Sequence, residues 1–170
     1  MATKSRIRSI ILIALVVQFC CLVACQHSVV QHEYTPQDSR TALTRAREHW
    51  HSRLPEMAGY DLNLEVRCYC THAGHYRLRV RPGQPNELVP DRPVNMVPEH
   101  LLAIVRGYDV EGLFHEVETA LDEKAARVDV IYDQGYGYPI ALQIDGDAQM
   151  PDDELQILAT LTTFPREARK

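Results

Sequence analysis

LNLEVRCYC, residues 62–70, alternates without a break: Leu62, Leu64, Val66, Cys68 and Cys70 on one side, Asn63, Glu65, Arg67 and Tyr69 on the other. Successive strand side chains point to opposite faces, so the stretch predicts a strand with one buried face. Gly74 marks a turn, and the period returns with Tyr76, Leu78 and Val80 inward and Arg77, Arg79 and Arg81 outward. It returns again at Val128, Val130 and Tyr132, at Ile140, Leu142 and Ile144, and in a closing strand at Leu155, Ile157, Ala159 and Leu161.

Helical spacing separates these strands. TALTRAREHWHSRL, residues 41–54, can be capped by Asp38 or Ser39 and puts Leu43, Ala46, Trp50 and Leu54 on one face before Pro55 stops it. Asp109 caps a second helix carrying Val110, Leu113, Phe114, Val117 and Leu121. Between them, Pro82, Pro85, Pro90, Pro93 and Pro98 punctuate a connection with a short edge strand at Glu87–Val89, and 100–105 reads as a short apolar helix or turn. The fold class that follows is α+β: an antiparallel sheet with two main helices on one face. At an offset of 64, Trp50 meets Phe114, Val66 meets Val130, Leu78 meets Leu142 and Val80 meets Ile144, the pattern a tandem α-β-β repeat would leave.

The first residues are not part of this domain. Lys4, Arg6 and Arg8 precede a nearly continuous apolar run from Ile10 to Phe19, too short to span a bilayer and built like a secretory signal. It ends in Leu22-Val23-Ala24-Cys25, which resembles a bacterial lipobox, so residues 1–24 read as a lipoprotein signal peptide and Cys25 as the lipidated residue. Each buried acyl methylene contributes about 0.8 kcal/mol, so several chains anchor the protein to a membrane without a spanning helix. Gln26 after Cys25, where an Asp favours inner-membrane retention, points to the outer membrane and the periplasm. Residues 25–38 form a polar tether of about 20 Å reach. Residues 39–165 then form one domain, and 166–170 a tail.

Removing residues 1–24 takes away Lys4, Arg6 and Arg8 and no acid, so the formal net charge of −5 becomes −8. An acidic mature chain argues against nucleic acid and against adsorption to anionic lipid. Outward Arg67, Arg77, Arg79 and Arg81 on the first hairpin contrast with Asp129, Asp133 and Asp145 on the second, a bipolar sheet face suited to a protein partner.

Two constellations carry chemistry. Cys68, Cys70 and His72 are two residues apart, and His75 can fold back across Gly74, a donor set for copper or zinc. Against this, the alternation gives Cys68 and Cys70 to the core face, where cysteine packs as a small hydrophobe. Outside the cytoplasm the pair also tends to oxidise, though residues two apart on a flat strand stand about 6.5–7 Å apart, at the edge of disulfide geometry. Buried thiols, a disulfide, a redox pair and a metal site all stay open, with packing first. The second constellation is YDQGYGYP with IDGDAQMPDDE: Tyr132, Asp133, Tyr136 and Tyr138 suit a partner surface, and the turn with Asp145 and Asp147 lacks the spacing of an EF-hand calcium loop. No G-x-S-x-G, phosphate loop or HExxH is present.

Leu113-Phe114, Tyr132-Asp133, Gly137-Tyr138-Pro139, Asp145 and Asp152-Asp153-Glu154, together with Cys68-x-Cys70, resemble the pattern of an uncharacterised family of bacterial secreted lipoproteins, a domain of unknown function. The resemblance covers residues 40–165 and implies no activity. The expectation is a non-enzymatic, lipid-anchored envelope protein without a cofactor that binds a protein or other envelope macromolecule. Soft-metal or thiol-redox handling by Cys68, Cys70, His72 and His75 is the competing expectation.

Overall fold

A computed structural model describes residues 36–89, 98–150 and 152–166. The signal segment, Cys25, most of the tether, Pro90, Pro93 and residues 167–170 lie outside the described residues. No helix among the described residues is long and apolar enough to cross a membrane.

The chain runs α1 (Pro36–Arg53), a 3-10 turn (Leu54–Glu56), β1 (Met57–Cys68), β2 (Gly74–Val80), β3 (Glu87–Leu88), α2 (Glu99–Arg106), α3 (Val110–Glu123), β4 (Arg127–Tyr132), β5 (Pro139–Asp145) and β6 (Leu155–Pro165). The strands form one antiparallel sheet in the order β3-β2-β1-β6-β5-β4. The α+β reading therefore holds. Helix α1 starts at Pro36, inside the stretch expected to be tether, because proline fits a first helical turn where no backbone donor is needed.

Every strand residue predicted to point inward does so except Cys70, which lies beyond the end of β1. Leu62, Leu64, Val66, Leu78, Leu142, Ile157 and Ala159 are buried in one cluster with Trp50, Phe114, Leu113 and Val117 from the helices. Trp50 is 1% exposed and Phe114 fully buried, the largest apolar contributions of their helices. Removing either ring would leave a cavity costing about 3–5 kcal/mol. Arg47 crosses from α1 to Glu118 of α3 at 3.1 Å, and Arg40 reaches Asp122 at 2.7 Å and the Leu121 carbonyl at 3.0 Å. Asp109 caps α3 by accepting from the Gly112 amide at 2.8 Å.

The two halves meet where β1 lies beside β6, with Leu62 opposite Leu161, Leu64 opposite Ala159 and Val66 opposite Ile157. A tandem repeat is not shown: β1 has 12 residues where β4, its counterpart at the offset of 64, has 6. The opposite sheet face carries exposed Asn63, Arg67, Thr160, Thr162 and Asp129.

Its charges are less polarised than the sequence suggested, because partners sit beside them. Arg79 binds Asp61, Arg67 binds Glu65 at 2.6 Å, and Arg127 pairs with Asp129. Asp133 lies in the β4–β5 loop and not on the sheet. Short-range ion pairs thus offset part of the charge contrast between the two hairpins.

Candidate functional site

The CxCxH stretch is the first candidate. Strand β1 ends at Cys68 and the chain bends at Tyr69 and Cys70, which brings the two Cα atoms to 5.1 Å and lets the cysteines form a disulfide. The regular-strand spacing assumed from the alternation ends one residue too early to hold them apart. Cys68 still packs against the core, Cys70 is half-buried, and Tyr69 between them is 84% exposed.

His72 joins the pair. Its Nε2 is 3.6 Å from Cys70 Sγ and 3.1 Å from the buried Tyr108 hydroxyl, while the Tyr76 hydroxyl donates to the His72 carbonyl at 3.0 Å. Partial burial lowers the His72 pKa, which favours a neutral ring. Burial, with a further push from Glu116, raises the Tyr108 hydroxyl to about 12. Cys68, Cys70 and His72 are the one group of three or more His, Cys, Asp or Glu that converges among the described residues. His75 does not belong to it: that side chain is exposed and its Nε2 is 3.9 Å from Glu65.

A second candidate had no sequence signature. A cavity of about 500 Å³ opens where the end of α1 meets the start of β1 and the end of β2. Trp50, Leu54, Met57, Tyr60 and Val80 wall it, and Asp109, Glu111 and Arg166 sit in its lining. Glu111 Oε1 accepts from Trp50 Nε1 at 3.0 Å and lies 2.9 Å from His51 Nε2. Asp109 holds the α3 amide and Asn86 Nδ2, so both acids have structural duties. Burial, then the charge of Asp109, drives the Tyr60 hydroxyl far above its ordinary pKa, and its oxygen accepts from the Val110 amide at 3.3 Å. These residues are scattered along the chain, and those the sequence singles out, Trp50, Leu54 and Val80 as core and Asp109 as a helix cap, carry no sign of a site.

The tyrosines at the β4–β5 loop pack on the domain, Tyr138 fully and Tyr132 and Tyr136 in part. Tyr138 is 6% exposed, packs edge-on 6.4 Å from Trp50, and its hydroxyl oxygen accepts from the Leu161 amide at 3.1 Å. Tyr132 stacks on Phe114 at 6.3 Å, and Tyr136 lies under the Arg53 guanidinium. Asp133 Oδ1 accepts from the amides of Gly135 and Tyr136, closing the turn. Asp147 accepts from the Gln149 amide, and Asp153 from the Asp147 amide, so two carboxylates of the acidic turn bond its own backbone. Asp145 ends β5 opposite Arg127.

Gly137 explains why the loop reads Gly-Tyr-Pro. Its φ is +84°, and a Cβ there would stand 2.5 Å from the Ala46 carbonyl oxygen and 3.0 Å from the Trp50 nitrogen. Only glycine lets the loop lie this close on α1 and insert Tyr138 and Pro139 into the core.

Comparison with curated proteins finds no match, and comparison with solved structures finds none either. The family model for a family of unknown function (DUF6174) matches residues 42–164, from α1 to the end of β6, and the chain belongs to that family.

Proposed function

We propose that this is a lipid-anchored bacterial envelope protein that acts without catalysis, binding a protein partner through the Trp50–Tyr60 pocket. Cys25 carries the lipid, and Gln26 directs the protein to the outer membrane facing the periplasm. One observation carries the binding reading: an apolar cavity of about 500 Å³ that opens to the surface with acids in its lining. A concave apolar site with a few convergent polar groups is the usual form of a ligand pocket. Its walls suit an apolar side chain, and Glu111, whose two bonds both fall on Oε1, leaves Oε2 to meet a neighbouring basic group. The commitment of Asp109 and Glu111 to structural bonds supports binding over acid–base catalysis.

The test is site-directed photo-crosslinking in cells. A crosslinking amino acid at Leu54, 36% exposed on the pocket wall, is expected to give one discrete protein adduct. The same group at Ile131, 61% exposed on the other sheet face, should not give it, and Val80→Trp, which fills the cavity, should abolish it. Cys25→Ala should release the chain from the membrane fraction. An adduct indifferent to Val80→Trp, or none, refutes the pocket reading.

A further inference from the structure

The turn after β1 draws three soft donors from five consecutive residues. Cys68 Sγ, Cys70 Sγ and His72 Nε2 all lie within 4.8 Å of one another. Two thiolates and an imidazole are the donors that soft metal ions select. The Tyr76 hydroxyl holds the His72 carbonyl from outside the pair, and the Tyr108 hydroxyl occupies Nε2 in the metal-free form and gives way when that nitrogen takes the ion. Neither contact involves the disulfide.

Opening that disulfide leaves the scaffold in place. It joins residues only two apart, whereas β1 stays paired along its length with β2 and β6. The donors therefore remain beside one another when the sulfurs are reduced.

Donor count selects the ion. Zinc in structural sites takes four ligands in a tetrahedron. Here the converging group has three, and His75, the fourth candidate in the sequence, is 3.9 Å from Glu65 and turned away. Copper(I) accepts three-coordinate sulfur and nitrogen sets.

We propose that the reduced chain binds one copper(I) ion through Cys68 Sγ, Cys70 Sγ and His72 Nε2, the disulfide being the metal-free form of the same site. The chemistry balances. An external dithiol gives two electrons and two protons as it closes to its own disulfide; the Cys68–Cys70 bond accepts them and becomes two thiols. Copper(I) then displaces the two thiol protons. The site links copper binding to the thiol poise of the compartment.

The experiment uses the full chain in detergent, reduced with a dithiol, desalted under argon and titrated with copper(I) against a chromophoric copper(I) chelator. One ion per chain is expected, with thiolate-to-copper charge-transfer absorption, and none in the oxidised chain. Cys68→Ser/Cys70→Ser should abolish binding. His72→Ala should weaken it by at least about tenfold, since loss of even an outer-sphere partner costs roughly 10- to 100-fold. His75→Ala should leave it unchanged, and the two histidine variants keep the test decisive if the double serine variant misfolds. Failure of the reduced chain to compete for copper(I), retention of affinity in His72→Ala, or equal loss in His75→Ala overturns the proposal.

Discussion

Arg79 grips Asp61 across the β1–β2 ladder with two parallel hydrogen bonds, Nε to Oδ1 and Nη2 to Oδ2, each 3.0 Å. Asp61 is the one charged residue buried among the described residues. The Arg79 hydrogen bond holds its carboxyl below the ordinary value; desolvation pushes upward, and the charges of Arg79, Arg81 and Arg77 add to the lowering. A depressed folded-state pKa means that the unfolded chain binds the proton more readily. This contribution is complete above the unfolded carboxylate value, about pH 4, and is lost as pH falls through the folded one. Urea midpoints measured from pH 6 down to pH 2 should therefore fall less steeply in Asp61→Asn than in the parent. Identical slopes would show that the pair adds nothing to acid sensitivity.

Gly137 and Gly83 make a matched comparison. Both have positive φ, +84° and +72°, but a Cβ at Gly83 meets nothing within 4 Å, whereas at Gly137 it collides with α1 backbone. Gly83→Ala should cost about 1 kcal/mol, the backbone strain alone. Gly137→Ala should cost about 2–4 kcal/mol, because strain and overpacking add. Chemical denaturation of the two variants reads the difference directly; equal losses would mean that α1 yields freely.

The strand faces and helix stripes were legible because burial imposes a period on the chain: 2 along Leu62–Val66 and 3.6 along Val110–Leu121. Most core-facing strand residues could be named from that period, with Met57 and Tyr60 at the start of β1 and Leu88 of β3 the exceptions. What the period does not encode is which strands become neighbours, so the central β1–β6 pairing, with Leu62 against Leu161, stayed hidden. Nor does it encode where a strand stops. The bend after Cys68 turned an unfavourable spacing into a disulfide and separated His72 from His75. Asp61 escaped notice as well, since a carboxylate on an outward position reads as solvated until its arginine is located across the ladder. The tyrosine loop was ambiguous for a related reason: tyrosine beside glycine describes an exposed loop and a tightly seated one equally well, and the Gly137–Ala46 approach shows how closely this one lies on α1.

Loss of the Cys68–Cys70 bond should matter little for stability. A disulfide works chiefly by restricting the unfolded chain, and the ring closed here spans a sequence separation of 2. The loop-entropy relation gives about 1.5 kcal/mol for so small a ring. Thermal unfolding of Cys68→Ser/Cys70→Ser should show a modest drop with the sheet signature intact. A loss several-fold larger would assign the pair a structural role that its loop length does not explain.

Tyr138 and Tyr132 divide the loop's contribution between a hydrogen bond and a ring. Tyr138→Phe keeps the contact with Trp50 but removes the acceptor for the Leu161 amide, in the middle of β6. An amide left without its partner costs about 1–3 kcal/mol. Tyr132→Phe keeps the stack on Phe114 and takes away a hydroxyl with no hydrogen-bond partner among the described residues, which burial raises to about 12. That change should be close to neutral, since no hydrogen bond within the described residues is lost. Denaturation midpoints test both, and amide exchange at Leu161 tests the first more sharply, because protection there should fall in Tyr138→Phe and hold in Tyr132→Phe. Were Tyr132→Phe the more damaging of the two, the hydroxyl would be serving something outside the fold, and the loop would return as a contact surface.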